Sequence, residues 1–304
     1  MKTVNLISRD NGSGLTRDMQ LLTGLMKSSG YQVRWIDHRQ NRMPACHVGI
    51  FLEEFNCALL EMMGASVFIP NMDCFPEGVL DYVDSVDQVW AKGTGAAGEL
   101  RSLGFSPVTT GFMSGDMIDT TVEREDLCLH VSGKSSAKGT QAVLEAWRRH
   151  PDLPTLYMTA IQSLGDVPAN VRYLGIVPLP QVENLMNRCR IHVLPSLIEG
   201  WGHGLAEGAM CGASVVTTDA SPMNEHIRPE FGFLLPVIRT EPIGVTQLNH
   251  VDPDDIADAV RRAVALGVAD RGKRSSLARE HVLARNATFA ATATRLIGDL
   301  MARS

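Results

Sequence analysis

The sequence predicts an α/β protein made of two Rossmann-like, doubly wound parallel-sheet domains. Three observations carry that expectation. Short apolar runs alternate with helical patterns along most of the 304 residues, the order a parallel sheet covered by helices on both faces requires. The length itself corresponds to about two domains. Glycine-containing turns also recur where an apolar run hands over to a helix, at 12–14, 133–139 and 200–204. Folds of this class bind ligands at such turns.

Composition narrows the function classes. Lys and Arg total 28 against 34 Asp and Glu, a net charge of −6, so no bulk basic field invites nucleic acid, although a local basic groove stays open. Six cysteines, at 46, 57, 74, 128, 189 and 211, form no CxxC pair and no zinc spacing. They are expected to be reduced and mostly buried. The opening MKTVNLISRD has too short an apolar run for a signal peptide, and no stretch approaches a membrane span. The expected setting is cytoplasmic.

In the first half, Thr3 to Ser8 reads as a strand, followed by the turn Asp10-Asn11-Gly12-Ser13-Gly14. Leu15 to Lys27 then repeats apolar residues at helical spacing (Leu15, Met19, Leu22, Leu25, Met26), Gly30 closes the helix, and Tyr31 to Asp37 is again a strand. The Gly-x-Gly turn of this βαβ opening suits a phosphate, but a tight turn without a ligand has the same pattern. A strand near Cys46 to Phe51, a helix near Glu54 to Met63 and a buried strand from Ala65 to Pro70 come next. Val86 to Ala91 is a further strand, and a helix runs from about Thr94 to Leu103. Polar residues at strand carboxyl ends rank first for chemistry in such folds, which singles out Asp73 and Lys92.

The weakly periodic 116–126 reads as a linker, giving an amino-terminal domain over 1–115 and a second domain over 127–272. In the second domain a strand from Leu127 to Val131 leads through Ser132-Gly133-Lys134-Ser135-Ser136-Ala137-Lys138-Gly139 into a helix from Thr140 to Arg149. The loop lacks the GxxxxGK[ST] pattern, yet it sets two lysines and several amides at a helix start. Surface lysines are commonly only solvated, but two on one strand-to-helix loop favour phosphate binding. Strands are expected at Leu153 to Thr159 and Val171 to Leu174, and a helix from Leu179 to Arg188. A brief helix near Pro222 to Glu225 precedes a strand from Gly232 to Pro236. Asp252-Pro253-Asp254-Asp255 starts a helix to about Leu266, with an acid cap and a first-turn proline. The Ala- and Arg-rich 273–304 is a final helix, expected to pack back on the amino-terminal domain or to serve a homodimer contact.

The most specific stretch is 193–219, VLPSLIEGWGHGLAEGAMCGASVVTTD. A strand ends in a Pro-Ser turn and Glu199; Gly200, Trp201, Gly202, His203 and Gly204 come next; then a helix of small residues carries Glu207. Glycines between a strand and a helix start let amides approach an anion that the helix dipole favours. Glu199 and Glu207, eight positions apart, can bracket a ligand on that helix end.

These motifs resemble the GT-B glycosyltransferases, and more narrowly the retaining "glycosyl transferases group 1" type. The hallmark is a Glu-x7-Glu pair in an EGFG-like stretch, matched by Glu199 and Glu207. The PS before it, the EGAMCG of 207–212 and the VVTTD strand match as well. HVSGKSSAKGT at 130–140 resembles the family's basic GRLxxxKG loop, with Lys134 in the arginine's place and one residue missing before Lys138. NGSGLTRD (11–18), IPNMDCF (69–75), KGTGAAGEL (92–100) and TGFMSGD (110–116) carry a weaker likeness in the amino half.

The resemblance implies two domains facing a cleft and a nucleotide-diphosphate sugar, UDP- or GDP-linked, as donor. It implies that Glu207 holds the ribose hydroxyls and that Glu199 sits near the transferred sugar. Lys134 and Lys138 would neutralise the diphosphate, helped by the amides of Gly133, Gly202, His203, Gly204 and Leu205, with no metal required. Gly12, Ser13 and Gly14 would close over the diphosphate, and Ile176 and Val177 would flank the base. His203 is either a phosphate or sugar ligand or only a helix-start residue. Asp73 is an acceptor ligand, a charge stabiliser or a structural turn residue. Trp201 reads more as packing than as a stacking platform. The implied reaction is retaining transfer of a sugar to a hydroxyl of a small molecule or glycan, with a modified DNA base as a further acceptor. A nucleotide-sugar epimerase and a non-catalytic nucleotide-sugar binder are the competing functions. Too few acid/base groups in the amino domain count against the epimerase, and intact Glu199, Glu207, Lys134 and Lys138 count against the binder.

Overall fold

Two parallel six-stranded sheets organise the chain, one in each of two units. The computed structural model describes residues 2–161 and 165–303. Unit 1 comprises Met1–Ser114, Gly244–Thr246 and Arg285–Ser304, and unit 2 comprises Gly115–Ile243 and Gln247–Ala284.

In unit 1 the strands are β1 (Thr3–Ser8), β2 (Gln32–Asp37), β3 (Cys46–Leu52), β4 (Met63–Ile69), β5 (Gln88–Ala91) and β6 (Val108–Thr109), in the order β2-β1-β3-β4-β5-β6. β1, β3 and β4 are almost wholly buried, which is why they read as continuous apolar runs rather than alternating ones. Helix α1 (Gly14–Ser28) buries Leu15, Met19, Leu22 and Met26, one stripe at helical spacing. Helix α2 is Thr94–Ser102. The helix expected near Glu54 to Met63 is instead a 3-10 turn, Cys57–Met62, after which β4 starts at once. The Asn56 side chain accepts from the Ala58 amide at 3.0 Å, and six residues leave no room for a full α-helical ladder.

In unit 2 the strands are β7 (Glu125–Gly133), β8 (Leu156–Ala160), β9 (Val171–Tyr173), β10 (Cys189–Leu194), β11 (Ser214–Thr218) and β12 (Phe233–Leu235), in the order β12-β11-β10-β7-β8-β9. The chain builds outward from β7 on one side and, after β9, returns to start the other side at β10. The loops that leave β7 and β10 therefore sit side by side, at the topological switch point. The helices are α3 (Thr140–Arg149), α4 (Leu179–Arg188), α5 (His203–Met210), the short α6 (Met223–His226) and α7 (Pro253–Val264). α3 and α7 bury Val143, Leu144, Trp147, Ile256, Ala259 and Val260 in the core of this unit. A hairpin of β13 (Arg239–Ile243) and β14 (Thr246–His250) lies outside the main sheet.

The stretch after Ser114 is held on unit 2. The Asn187 amide nitrogen donates to Met117 O at 2.7 Å, its oxygen accepts from the Asp119 amide at 2.8 Å, and Arg279 pairs with Asp116 at 2.6 Å. The final helix α8 (Val268–Arg303) starts five residues earlier than expected and continues through Gly272, a cost of about 0.5–1 kcal/mol that the rest of a long helix absorbs. From Arg285 onward it belongs to unit 1. There the Phe289 ring packs against Phe112 at 4.8 Å, tilted by 44°, and Asn286 donates to Ser114 O at 2.8 Å. Among the described residues, no helix is long and apolar enough to cross a membrane.

Candidate functional site

The site is built where β7 and β10 end. Strand β10 is buried almost throughout and stops at Leu194 because Pro195 cannot extend the ladder. Two threonines at the end of β11 tie down the segment that leaves β10: Thr217 donates to Leu194 O and Thr218 to Ser196 O, each at 2.7 Å. The β7 loop is pinned against the same segment, since the Leu197 amide donates to Ala137 O at 2.8 Å. Gly139 makes that approach possible. Its φ is +69°, and an added Cβ would lie 2.1 Å from Pro195 O, a contact no side chain can make.

This close fit brings together charges 61 positions apart. Lys138 Nζ donates to Glu199 Oε1 at 2.5 Å, and Ser196 Oγ donates to the same oxygen at 2.6 Å. Lys138 is 27% exposed and Glu199 10%, so the pair is partly withdrawn from water and its charges are felt more strongly than those of a fully solvated pair. Ser196 has only a weak signal in the sequence, a hydroxyl one residue past a strand-ending proline.

Buried below the pair, His130 braces both loops. Its Nδ1 lies 2.7 Å from Val193 O and its Nε2 2.9 Å from Thr140 Oγ1. A carbonyl can only accept, so Nδ1 carries the proton and Nε2 accepts from the threonine. Burial, with the charge of Lys138 adding to it, lowers the His130 pKa to about 4. His192 on β10 is lowered to about 3, by burial first and by Arg124 next. Both histidines are expected to be neutral in the folded state and to titrate normally when unfolded. Their contribution is fully present above pH 6.5 and is lost as pH falls toward 4, at up to about 1.4 kcal/mol per pH unit for each histidine. Urea unfolding at pH 7.5, 6 and 5 should show that loss, and a flat unfolding free energy over the range would refute it.

Helix α5 begins at Gly202, whose φ of +95° favours glycine. The amides of Leu205 and Ala206 donate back to Gly202 O, at 3.0 and 3.3 Å. The amides of His203 and Gly204 lie in the first turn, before the repeating helical hydrogen bonds begin, where a helix start offers donors to an anion. Small residues let α5 lie close on β10: a Cβ on Gly208 would come within 2.6 Å of the His192 ring. Glu207, one turn in, is 5% exposed, with the His203 ring nitrogen 3.9 Å from its carboxylate. Trp201 is a packing residue. It is 4% exposed, edge-on to His226 at 4.2 Å, and its carbonyl accepts from His226 Nε2 at 2.7 Å.

The remaining predicted residues fall into two groups. Gly133 and Lys134 are exposed on the β7 loop, and Gly133 O accepts from the Ile161 amide at 2.9 Å. Gly175 O accepts from the Ala160 amide at 3.2 Å, which sets Ile176, 66% exposed, and Val177 on the same sheet edge. Gly12, Ser13, Gly14 and Asp73 belong to unit 1 and are exposed there. The Gly12 amide donates to Asp10 at 3.0 Å and to Thr16 at 2.8 Å, and the Ser13 amide donates to Asn11 at 2.9 Å. Side chains of the loop and of the first turn of α1 therefore hold the Gly12 and Ser13 amides.

None of the curated proteins matches the chain. The fold is that of a glycosyltransferase solved from Rickettsia africae, with a TM-score of 0.75 at 13% identity over 100% of this chain and 99% of that one. It is equally that of a sucrose-phosphate synthase from Thermosynechococcus elongatus, also 0.75 at 13% identity, with all of both chains covered. The Anabaena protein HepE, solved with UDP and glucose, aligns with a TM-score of 0.67 at 14% identity, again over all of both chains. The architecture is thus the GT-B one of two parallel-sheet α/β domains. Residues 161–267, which hold Glu199, α5 and Glu207, match the family described as Glycosyl transferases group 1, and that match indicates a transferase.

Proposed function

We propose that this chain is a retaining glycosyltransferase that moves a sugar from a UDP- or GDP-sugar to a hydroxyl acceptor without requiring a divalent ion. The observation that carries the reading is the Lys138–Glu199 pair at the switch point of unit 2, beside the start of α5. A diphosphate that engages Lys138, with Lys134 and the His203 and Gly204 amides, releases Glu199 to take a hydroxyl of the donor sugar. Glu207 receives the ribose hydroxyls, and Ile176 and Val177 flank the base. Fixed donors aimed at a departing diphosphate supply the charge stabilisation that a metal supplies elsewhere.

In the chemical step the glycosidic bond breaks with its electron pair on the diphosphate oxygen. The acceptor oxygen bonds to the anomeric carbon from the same face and passes its proton to that oxygen. Glu199 offers negative charge to the sugar as positive charge develops on it. Binding of UDP by HepE supports the donor class.

The test is a panel of UDP- and GDP-sugars with NMR detection, with and without EDTA. The expected result is slow release of nucleoside diphosphate that EDTA does not reduce and that Glu199→Ala abolishes, with retained anomeric configuration in any transfer product. An inverted product, an epimerised donor, or tight donor binding with no turnover would overturn it.

A further inference from the structure

Unit 2 has a cavity of about 450 Å³ at the free edge of its sheet, a size within the roughly 300–1,000 Å³ common for small-molecule sites. One wall is apolar: Leu234, Leu235 and Pro236, at the carboxyl end of β12. The other is α7, which contributes Asp255, Asp258, Arg261 and Arg262. β11 separates β12 from β10. The edge strand is therefore two strand spacings, about 10 Å, from the strand that leads to Glu199.

β12 has β11 as its one neighbour in the sheet. Val216, Thr217 and Thr218 pair with Phe233, Leu234 and Leu235 in parallel register, and the Asp219 amide donates to Leu235 O at 2.8 Å. Alternate residues of a parallel strand turn their N–H and C=O to the same side. Phe233 and Leu235 thus bond to β11, and Leu234 turns both its main-chain groups outward. An edge strand offers such groups to whatever lies beside it, and Leu234 lines the cavity.

The charges on α7 are not equivalent. Arg261 is held by Asp258 and by Asp152, each at 3.0 Å. Arg262 lies over the Phe233 ring at 5.4 Å, and neither it nor Asp255 has an ion-pair partner among the described residues. The two are seven positions apart, on one face of the helix and about 10 Å along its axis. A long side chain on a helix leans back toward the helix start, which narrows that gap.

Their order matches the strand. The Asn249 amide donates to Leu197 O at 2.8 Å, just beyond β10, so α7 starts at the carboxyl end of the sheet and runs back against β12. Arg262, over Phe233, is on the N–H side of Leu234, and Asp255 is on its C=O side. A cation and an N–H donor stand at one end of the cavity, an anion and a carbonyl at the other.

We propose that this cavity binds a free α-amino acid with an aliphatic side chain. The carboxylate meets Arg262 and the Leu234 N–H, the ammonium meets Asp255 and the Leu234 C=O, and the side chain lies on the apolar wall. Charge-assisted hydrogen bonds at both ends make the zwitterion the favoured occupant. A simple anion leaves Asp255 without a partner, a cation leaves Arg262 without one, and a neutral sugar leaves both. This binding does not depend on the transferase reading.

The experiment is calorimetry on the full chain with L-leucine and three analogues. 4-Methylpentanoate lacks the ammonium, 3-methylbutylamine lacks the carboxylate, and N-acetyl-leucinamide keeps main-chain donors and acceptors without charge. L-Leucine is expected to bind at least about tenfold tighter than each of them. Asp255→Asn and Arg262→Met are each expected to weaken L-leucine by about tenfold or more. Should one variant fail to fold, the other and the wild-type ligand series decide. No binding of L-leucine, an analogue that binds as tightly, or an unchanged L-leucine affinity in a folded variant would overturn the proposal.

Discussion

Glu199→Gln is expected to lower kcat for donor turnover about 10²–10³-fold while leaving the Kd for nucleoside diphosphate within about threefold. Glutamine keeps the shape of the side chain and an oxygen that still accepts from Ser196 Oγ, 2.6 Å away in the wild type. What it removes is the negative charge, which in the proposed mechanism acts as the anomeric carbon becomes electron-poor. An interaction made chiefly in the transition state costs kcat when lost, not ground-state binding. Donor affinity should even improve slightly, because Lys138, paired with Glu199 at 2.5 Å, is no longer competed for. Lys138→Met gives the opposite pattern. It removes a cation from the diphosphate, so Kd rises, and it frees Glu199 without depriving the sugar of it. Calorimetry with UDP and GDP, together with a nucleotide-release assay, separates the two. Wild-type kcat in Glu199→Gln, or a loss confined to Kd, would remove Glu199 from the chemistry.

Much of the fold is legible in the sequence because local signals and tertiary demands coincide. α3 and α4 run over the expected spans, Thr140–Arg149 and Leu179–Arg188, because each buries a single stripe at helical spacing and α4 opens with a proline in its first turn. Strands β1, β3 and β10 stand out because a sheet buried on both faces tolerates few polar residues. Gly202 and Gly139 can be picked out because positive φ and close approach leave little alternative. Other features depend on partners far along the chain. The ion pair of Lys138 with Glu199 spans 61 residues, and His130 reads as an ordinary strand residue until Val193 O is found against its ring. The β13–β14 hairpin is masked by Pro242 within its first strand, a residue that normally demotes a strand. Glu53 gives no local hint at all, since nothing in LEEF marks a glutamate with a positive φ. Lys92 is conspicuous at a strand end, but its place is in a buried ion pair rather than on an open surface.

That buried pair is the source of the largest expected stability effect. Lys92→Met should destabilise unit 1 by about 3–5 kcal/mol, because it strands the Asp18 carboxylate, 3% exposed, without its cation. Methionine fills much of the lysine stem's volume and can still lie on Phe112, so the loss reflects charge rather than a cavity. The double variant Lys92→Met/Asp18→Leu should recover most of it, since removing both ions removes the desolvation cost along with the attraction. The pH dependence supplies a second check. In the wild type, burial works against the Lys92 charge, but Asp18, Glu53 and Asp73 more than offset it and the pKa is raised. That stabilisation is present below about pH 10.5 and is lost as pH climbs through the higher folded value. In Lys92→Met the stranded carboxylates gain stability by taking up protons, so the deficit relative to wild type should shrink between pH 7 and pH 5. Hydrogen exchange of the β4 and β5 amides reads unit 1 directly. A variant whose exchange matches the wild type at pH 7, or a deficit that grows on acidification, would show that the pair is not what holds this edge of the sheet.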